Sequence, residues 1–371
     1  MRFGLLYLPT YVPELDGSVG EFYEHMLAQI EVVDGLGYDD VWLTEHHFTE
    51  YGGSVPDPTV FLAAVALRTR RVRLGVAVTV LPLRNPVQVA ESYAMVDVLS
   101  GGRLELGIGR GSTIREFERF GISNEDSALR MREATEVIRG AWADEPLTFH
   151  GELFNFDDLP VLPKPVQRPH PPIWVGATRT PESFQWAGQN GFHLMTLPYM
   201  FDPADLAKLI DVYRAGLAEG GHDPATHFIE GKFHAYVAPT DAAARESLPY
   251  LLNYRRLVDA RDPSRIEPRA GSYDYEAQVA SGNIIFGSPA HCIEIIQRWR
   301  DLLGLTALSG TFHFGGMPQD MALGSIRRFA EEVMPAFGRT TPPPAPPRAR
   351  GGEQKIKPGG FAPRPLLDRG A

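Results

Sequence analysis

The sequence predicts a closed (β/α)₈ barrel with insertions, followed by a disordered Pro/Gly-rich C-terminal tail. Three observations carry this. Eight short apolar runs recur through residues 1–337, and each is followed by a stretch with helical spacing. Repeated βα units impose a parallel sheet with right-handed crossovers. The turn after the first run reads PTYVPELDG, without the glycine fingerprint that a doubly wound nucleotide-binding sheet places there. Composition does not shift until Gly338, so one barrel domain over 1–337 and a tail over 338–371 is the simplest division.

RFGLLYL (2–8) is the first strand. Phe22, Met26, Ile30 and Val33 then space a helix over 21–36. DDVWLTE (39–45) and the helix PTVFLAAVALR (58–68) form the second unit. VRLGVAVTVL (72–81) is a continuous β-branched run, the pattern of a strand buried on both faces. PVQVAESYAMVDVLS (86–100) is a helix with proline in its first turn, and RLELGIG (103–109) is strand four. A helix near 127–143 follows. Residues 146–170, with TFHGELFNFDDL and then Pro163, Pro165 and Pro169, read as a hairpin excursion on a long loop.

The alternation resumes with PIWVGA (172–177), a helix over 181–189, FHLMTL (192–197) and a helix over 203–219. HFIEGKFHAYVAP (227–239) is a long strand and 240–258 is helical. The polar stretch 261–282 interrupts. SPAHCIEIIQRWRDLL (288–303) is an amphipathic helix capped by Ser288 with Pro289 at its first position. LTALSGTFHF (305–314) and a helix over 318–336 complete the body.

Composition removes several function classes. Hydrophobic residues at 43% and charged residues at 22% exclude global disorder. A single cysteine, Cys292, excludes a disulfide framework and any site built on several thiolates. No run reaches the roughly 18 apolar residues of a membrane span, and the N-terminal run ends at Pro9, too early for a signal peptide. A cytoplasmic protein without a membrane partner is expected. The net charge is −10, although the tail carries seven basic and two acidic residues. An acidic body argues against a nucleic-acid partner but leaves room for a local phosphate site.

In a barrel, function sits at the C-terminal ends of the strands. Strand two ends in Thr44-Glu45-His46-His47-Phe48. Neighbours in an extended chain face opposite ways, so one histidine faces the mouth. That geometry, with no HExxH elsewhere, speaks against a metal. A purely structural histidine pair stays open on residue type alone. Strand three ends in small residues around Ala77 and Val78. Strand four ends in Gly107-Ile108-Gly109-Arg110-Gly111-Ser112, where glycines permit close backbone approach and an arginine can hold a phosphate. Strand five ends in Ala177-Thr178-Arg179-Thr180-Pro181, the start of a helix whose free N–H groups suit an anion. Arg110 and that helix start can grip one phosphate together. Leu8, Tyr11, Phe117, Met195 and Leu197 suggest an apolar or aromatic pocket.

Taken together, MRFGLLYL, YVPELDG, VWLTEHHFTEYG and VLPLRNPVQVAESYAMVDVLSGGRLELGIGRG resemble the bacterial luciferase-like flavin monooxygenase family. GSPAHCIEIIQ and EEVMP extend the match over nearly the whole body, which is similar to the catalytic (alpha) subunit type. The resemblance implies a barrel that takes reduced FMN from a separate flavin reductase. With O2 it would oxidise a small, apolar organic substrate through a peroxyflavin intermediate. By motif, His46 matches the essential histidine beside the flavin and Glu45 a flavin-contacting acid. Ala77 and Val78 match a pair joined by a non-prolyl cis peptide beneath the ring. Arg110 matches the phosphate-binding arginine, with Ser112 beside it. Ala177, Thr178 and Ser183 carry over as cofactor contacts after strand five. A dimer, most simply a homodimer, is implied through the helices after strands two and three. The polar stretch 261–282 corresponds to a lid.

Gly109 departs from the pattern, because luciferase has cysteine there. That puts light emission in doubt but not oxygen chemistry. Two other readings stand beside the FMN monooxygenase. One is hydride transfer with a deazaflavin coenzyme, within the same superfamily. The other is a non-catalytic flavin-binding partner subunit, a type that lacks the His-His pair and the phosphate arginine present here.

Overall fold

The computed structural model describes residues 1–261 and 274–338. Eight parallel strands close into a barrel: β1 (Arg2–Tyr7), β2 (Asp40–Leu43), β3 (Arg73–Val76), β4 (Leu104–Gly109), β5 (Ile173–Gly176), β6 (His193–Thr196), β7 (Ile229–Val237) and β8 (Ala307–Thr311). Neighbours in sequence are neighbours in space, and β8 closes the ring by pairing with both β7 and β1. The predicted barrel is therefore present. The tail expectation for 338–371 and most of the lid expectation for 261–282 lie outside the described residues. Within the latter stretch, Tyr275–Ser281 is a short helix.

The helices start and stop where local chemistry dictates. Ser18 and Glu21 form a reciprocal capping box for Val19–Leu36, and Gly37 ends it in the left-handed conformation. Asp57, Asn85 and Ser288 cap helices that each open with proline: Pro58–Arg68, Pro86–Ser100 and Pro289–Leu303. Phe22, Met26, Ile30 and Val33 are all buried against the sheet, as their spacing predicts.

Each barrel strand splits its side chains between two cores. Outward residues such as Val41, Leu74, Leu106 and Phe233 join the large shell between strands and helices. Inward residues fill the ring, where Leu6, Trp42, Trp174 and Met195 cluster. Beneath them lies a charged floor. Arg2 Nη2 sits 3.0 Å from Asp40 Oδ2 and 3.2 Å from Glu105 Oε1, and Arg73 also pairs with Glu105. The indole N–H groups of Trp42 and Trp174 donate to Asp40 (2.6 Å) and Glu105 (2.5 Å). Lys232 Nζ lies 3.1 Å from Glu230 Oε2 and 4.2 Å from the Trp42 ring centroid. These groups fill the lower barrel among the described residues.

Three elements differ from the sequence expectation. The run 72–81 is not one strand: β3 ends at Val76, the Ala77–Val78 peptide is cis, and pairing resumes with Thr79 opposite Ile108 on β4. The apolar pattern persists across the break because both sides stay buried. Ile285–Gly287 adds a parallel strand against the distal half of β7, with Ala235 opposite Ile285. At nine residues β7 reaches beyond the ring, and this short strand covers its exposed edge. Helix Ile114–Phe120 follows β4, where only a loop was expected. The predicted hairpin is present as Leu147–His150 paired antiparallel with Asn155–Leu159.

Candidate active site

A cavity of about 640 Å³ opens at the C-terminal face of the barrel. The loops after β2, β3, β4 and β5 bring Glu45, His46, Ala77, Val78, Arg110, Ser112, Ala177, Thr178 and Ser183 to its wall, so every site residue named from sequence lines one space. Leu8, Met195 and Leu197 line it too. Tyr11 and Phe117 do not. Tyr11 packs on Phe22 and donates its hydroxyl to Gly17 O (2.6 Å), while Phe117 is buried against Gly111. In both cases the side chain packs elsewhere, which position in sequence does not show.

Adjacent histidines take opposite roles. His46 faces the cavity, with Nδ1 3.4 Å from Glu116 Oε1 and its ring against Tyr51. Glu116 also accepts the His47 backbone N–H at 3.0 Å, so one buried carboxylate holds the turn that presents both residues. His47 turns the other way, to Glu45 Oε1 at 3.2 Å. The same oxygen accepts from Arg84 Nε at 2.8 Å. Burial works against the Arg84 charge, but Glu45, Tyr93 and Asp57 together outweigh it and the guanidinium pKa is raised. Sequence reasoning missed both Glu116 and Arg84. Glu116 lies on the unexpected helix, and Arg84 stands in LPLRNP with no partner visible at that distance in sequence.

Val78 is wedged between two glycines. A side-chain carbon on Gly109 would approach Val78 Cγ2 to 2.4 Å, and one on Gly176 would approach Val78 Cγ1 to 2.7 Å. The result is a smooth apolar wall beside the cis peptide. Arg110 Nη2 donates to Ser127 Oγ at 3.1 Å, while its Nε is buried with no partner among the described residues. The start of helix Pro181–Gln189, with Thr180 and Ser183, lines the same cavity. Thr180 makes no side-chain capping bond there, contrary to the capping role its position allows. The helix start therefore lacks the side-chain acceptor that closes most of the other helices.

The β6 and β7 side of the cavity differs in character. Tyr199, Leu197, Tyr254 and His234 line it above Lys232. Burial, only partly opposed by Glu230, depresses the Lys232 ammonium. Burial, with a smaller contribution from Arg255, pushes His234 down to about 3.

Several buried polar atoms of residues lining the cavity have no partner among the described residues: Thr44 Oγ1, Glu45 Oε2, Arg110 Nε, Thr196 Oγ1 and both ring nitrogens of His234. Leaving a buried polar group unpaired costs on the order of 1–3 kcal/mol. Their convergence on one cavity marks it as a seat for a polar ligand. An unpaired arginine nitrogen and an uncapped helix start suit a phosphate, and the Val78 wall between Gly109 and Gly176 suits a flat ring. The residues present fit a flavin mononucleotide.

The family model described as luciferase-like monooxygenase matches residues 1–306. The chain belongs to this family and is an oxidoreductase of its monooxygenase class. It is 28% identical over 354 residues to the oxygenase component of the flavin-dependent trigonelline monooxygenase of Acinetobacter baylyi, covering 92% of this chain and 96% of that one. The structure of monooxygenase RslO1 from Streptomyces bottropensis is similar with a TM-score of 0.83 and 33% identity, over 91% of this chain and 100% of that one. The oxygenating constituent of 3,6-diketocamphane monooxygenase from Pseudomonas putida, solved with FMN, shares the fold at TM-score 0.76 and 22% identity, over 90% and 98%. An F420-dependent secondary alcohol dehydrogenase shares it at 0.71 and 23%, over 90% and 98%.

Proposed function

We propose that this protein is the oxygenase component of a two-component system. It takes reduced FMN from a separate flavin reductase and uses O2 to oxidise a small organic substrate. The observation that supports this most is the convergence of the nine residues on one cavity, with Arg110 Nε buried and unpaired at one end. Arg110, Ser112, Ser183 and the start of helix Pro181–Gln189 would hold the phosphate. Ala77 and Val78 would support the ring, with Glu45, Ala177 and Thr178 along its edge. When bound, reduced FMN supplies the electrons that activate O2.

The protein's own residues then position, shield and move protons. Glu116 fixes the His46 ring through Nδ1, and we assign proton exchange at the reacting oxygen to Nε2. A neutral imidazole, with one donor and one acceptor nitrogen, is suited to that task. Arg84 and His47 hold Glu45 in place at the cavity wall. Leu8, Leu197 and the aromatic side chains limit water, which suppresses wasteful release of hydrogen peroxide. A reducing cytoplasmic setting agrees with a single, buried cysteine. Among the described residues no helix is long and apolar enough to cross a membrane. A homodimer completes the reading.

The test is to mix purified protein with reduced FMN anaerobically and then admit O2. The expected result is flavin reoxidation slower than in free solution, with less hydrogen peroxide released per flavin. His46→Ala is expected to bind FMN with unchanged affinity and to lose substrate oxidation. Reoxidation at the rate of free flavin, or tighter binding of a deazaflavin coenzyme than of FMN, would overturn the proposal.

A further inference from the structure

The proposed flavin seat draws on the loops after β2 to β5. In a ring of eight strands, β7 stands directly across from β3 and its Ala77–Val78 wall. Along β7 the inward side chains are Glu230, Lys232 and His234; Lys232 and His234 both line the cavity, with His234 nearer the C-terminal end of the strand. It is 2% exposed, and neither ring nitrogen has a partner among the described residues. Its ring is enclosed by aromatic groups: Tyr254 at 4.3 Å, Tyr199 at 5.5 Å and Phe314 at 5.8 Å between centroids. Thr196 Oγ1, on neighbouring β6, is likewise buried and unpaired at the cavity.

Buried polar groups in a finished core are hydrogen-bonded. A histidine surrounded by rings, with two idle nitrogens at a cavity, is therefore a recognition element for whatever enters. The imidazole is neutral at working pH, because burial and Arg255 both disfavour its cation. A neutral imidazole offers one donor and one acceptor, so it does not select a fully charged group. The aromatic enclosure favours a flat ring as partner.

We propose that His234 selects and orients the organic substrate, and that this substrate is a planar cyclic compound bearing a ring-bound oxygen, a phenolic hydroxyl or a ketone. This rests on the monooxygenase reading, because it assigns the β6–β7 half of the cavity to the substrate. A hydrocarbon without oxygen leaves His234 and Thr196 unpaired after water is displaced. A straight-chain aldehyde reaches the nitrogens but gains little from the rings. A ring-bound oxygen satisfies both features.

The experiment uses the full chain with oxidised FMN, without turnover, and titrates 1-naphthol, 1-tetralone, naphthalene and decanal as probes. FMN binding is measured separately. The wild-type protein is expected to bind 1-naphthol and 1-tetralone about tenfold more tightly than naphthalene, the scale of one good hydrogen bond. It is expected to bind them more tightly than decanal as well. His234→Phe keeps the aromatic volume and is expected to erase the preference over naphthalene while leaving FMN affinity unchanged. His234→Asn keeps a donor and an acceptor and is expected to retain part of it. Should His234→Phe not fold, His234→Leu is read in the same way. Equal wild-type affinity for 1-naphthol and naphthalene, or a preference that survives in His234→Phe, overturns the assignment. Loss of FMN binding in His234→Phe alone also overturns it, whereas failure of the wild-type protein to bind FMN counts against the flavin reading, so the two failures are distinguishable.

Discussion

At the residue scale, the site depends on a few polar atoms held without partners. Arg110 spends one nitrogen on Ser127, and its Nε is buried with no partner among the described residues. Arg110→Met retains most of the side-chain bulk and removes a charge-assisted contact worth about 1.5–3 kcal/mol. The expected outcome is FMN affinity lower by roughly tenfold to a hundredfold, measured by equilibrium titration, with thermal stability unchanged or slightly higher. An unaltered FMN affinity would remove Arg110 from the phosphate site. Gly109 shows the opposite constraint, since a side chain there meets Val78 at once. The cysteine that the family's luciferase carries at this position therefore needs a different wall around it.

The division of labour between His46 and His47 was legible in sequence, because alternation along an extended chain separates neighbours. Glu116 was not legible. It stands 70 residues from His46, and nothing in IREFERF distinguishes a buried carboxylate from a solvated helix face. His234 was equally hidden in HFIEGKFHAYVAP, where the alternation of polar and apolar residues reads as a strand with one wet face. Inside a closed barrel that face is dry.

At the scale of elements, the helices follow their local signals closely. Caps, first-turn prolines and terminal glycines fix ends within a short range of sequence, so the sequence alone places them. Strands are less self-contained. The break at Ala77–Val78 and the short strand Ile285–Gly287 depend on what lies beside them. The charged floor shows the same dependence, because Arg2, Asp40, Arg73 and Glu105 come from four different strands. Glu105 accepts from two arginines and the Trp174 indole while almost fully buried. Removing one partner of a buried pair costs about 3–5 kcal/mol. Glu105→Ala is expected to lose stability on that scale in urea unfolding, at a site below the cavity. A loss under about 1 kcal/mol would show that the floor contributes little.

At the scale of the whole molecule, two properties follow. His193 and His234 are both pushed down to about 3, in each case chiefly by burial. In the unfolded chain they titrate near 6.5. As pH falls below that value the unfolded chain takes up protons that the folded chain refuses, so folding stability declines from about pH 6.5 downward. Each histidine contributes about 1.4 kcal/mol per pH unit over that window. Urea midpoints at pH 7.5, 6 and 5 are expected to fall in that order, less steeply for His234→Phe. Flat midpoints would contradict the assignment.

The second property is association. Helices Pro58–Arg68 and Pro86–Ser100 pack on one another and leave Val60, Leu67, Met95, Val98 and Leu99 exposed. Exposed apolar side chains on adjacent helices suit a partner of the same kind. Analytical ultracentrifugation is expected to give twice the chain mass, reduced to one in Val60→Glu/Met95→Glu. A wild-type monomer at micromolar concentration would refute the dimer.

The sequence by itself determined the number and order of the βα units, the ends of most helices, and which loops line the cavity. Those features rest on periodicity, capping and strand-end position, all of which act over a few neighbouring residues. Tertiary structure alone decided which polar groups meet. It joined Glu116 to His46, Arg84 to Glu45, and set His234 opposite the Val78 wall. Closing the ring made its interior dry, and only then did an ordinary alternating strand become one face of a binding cavity.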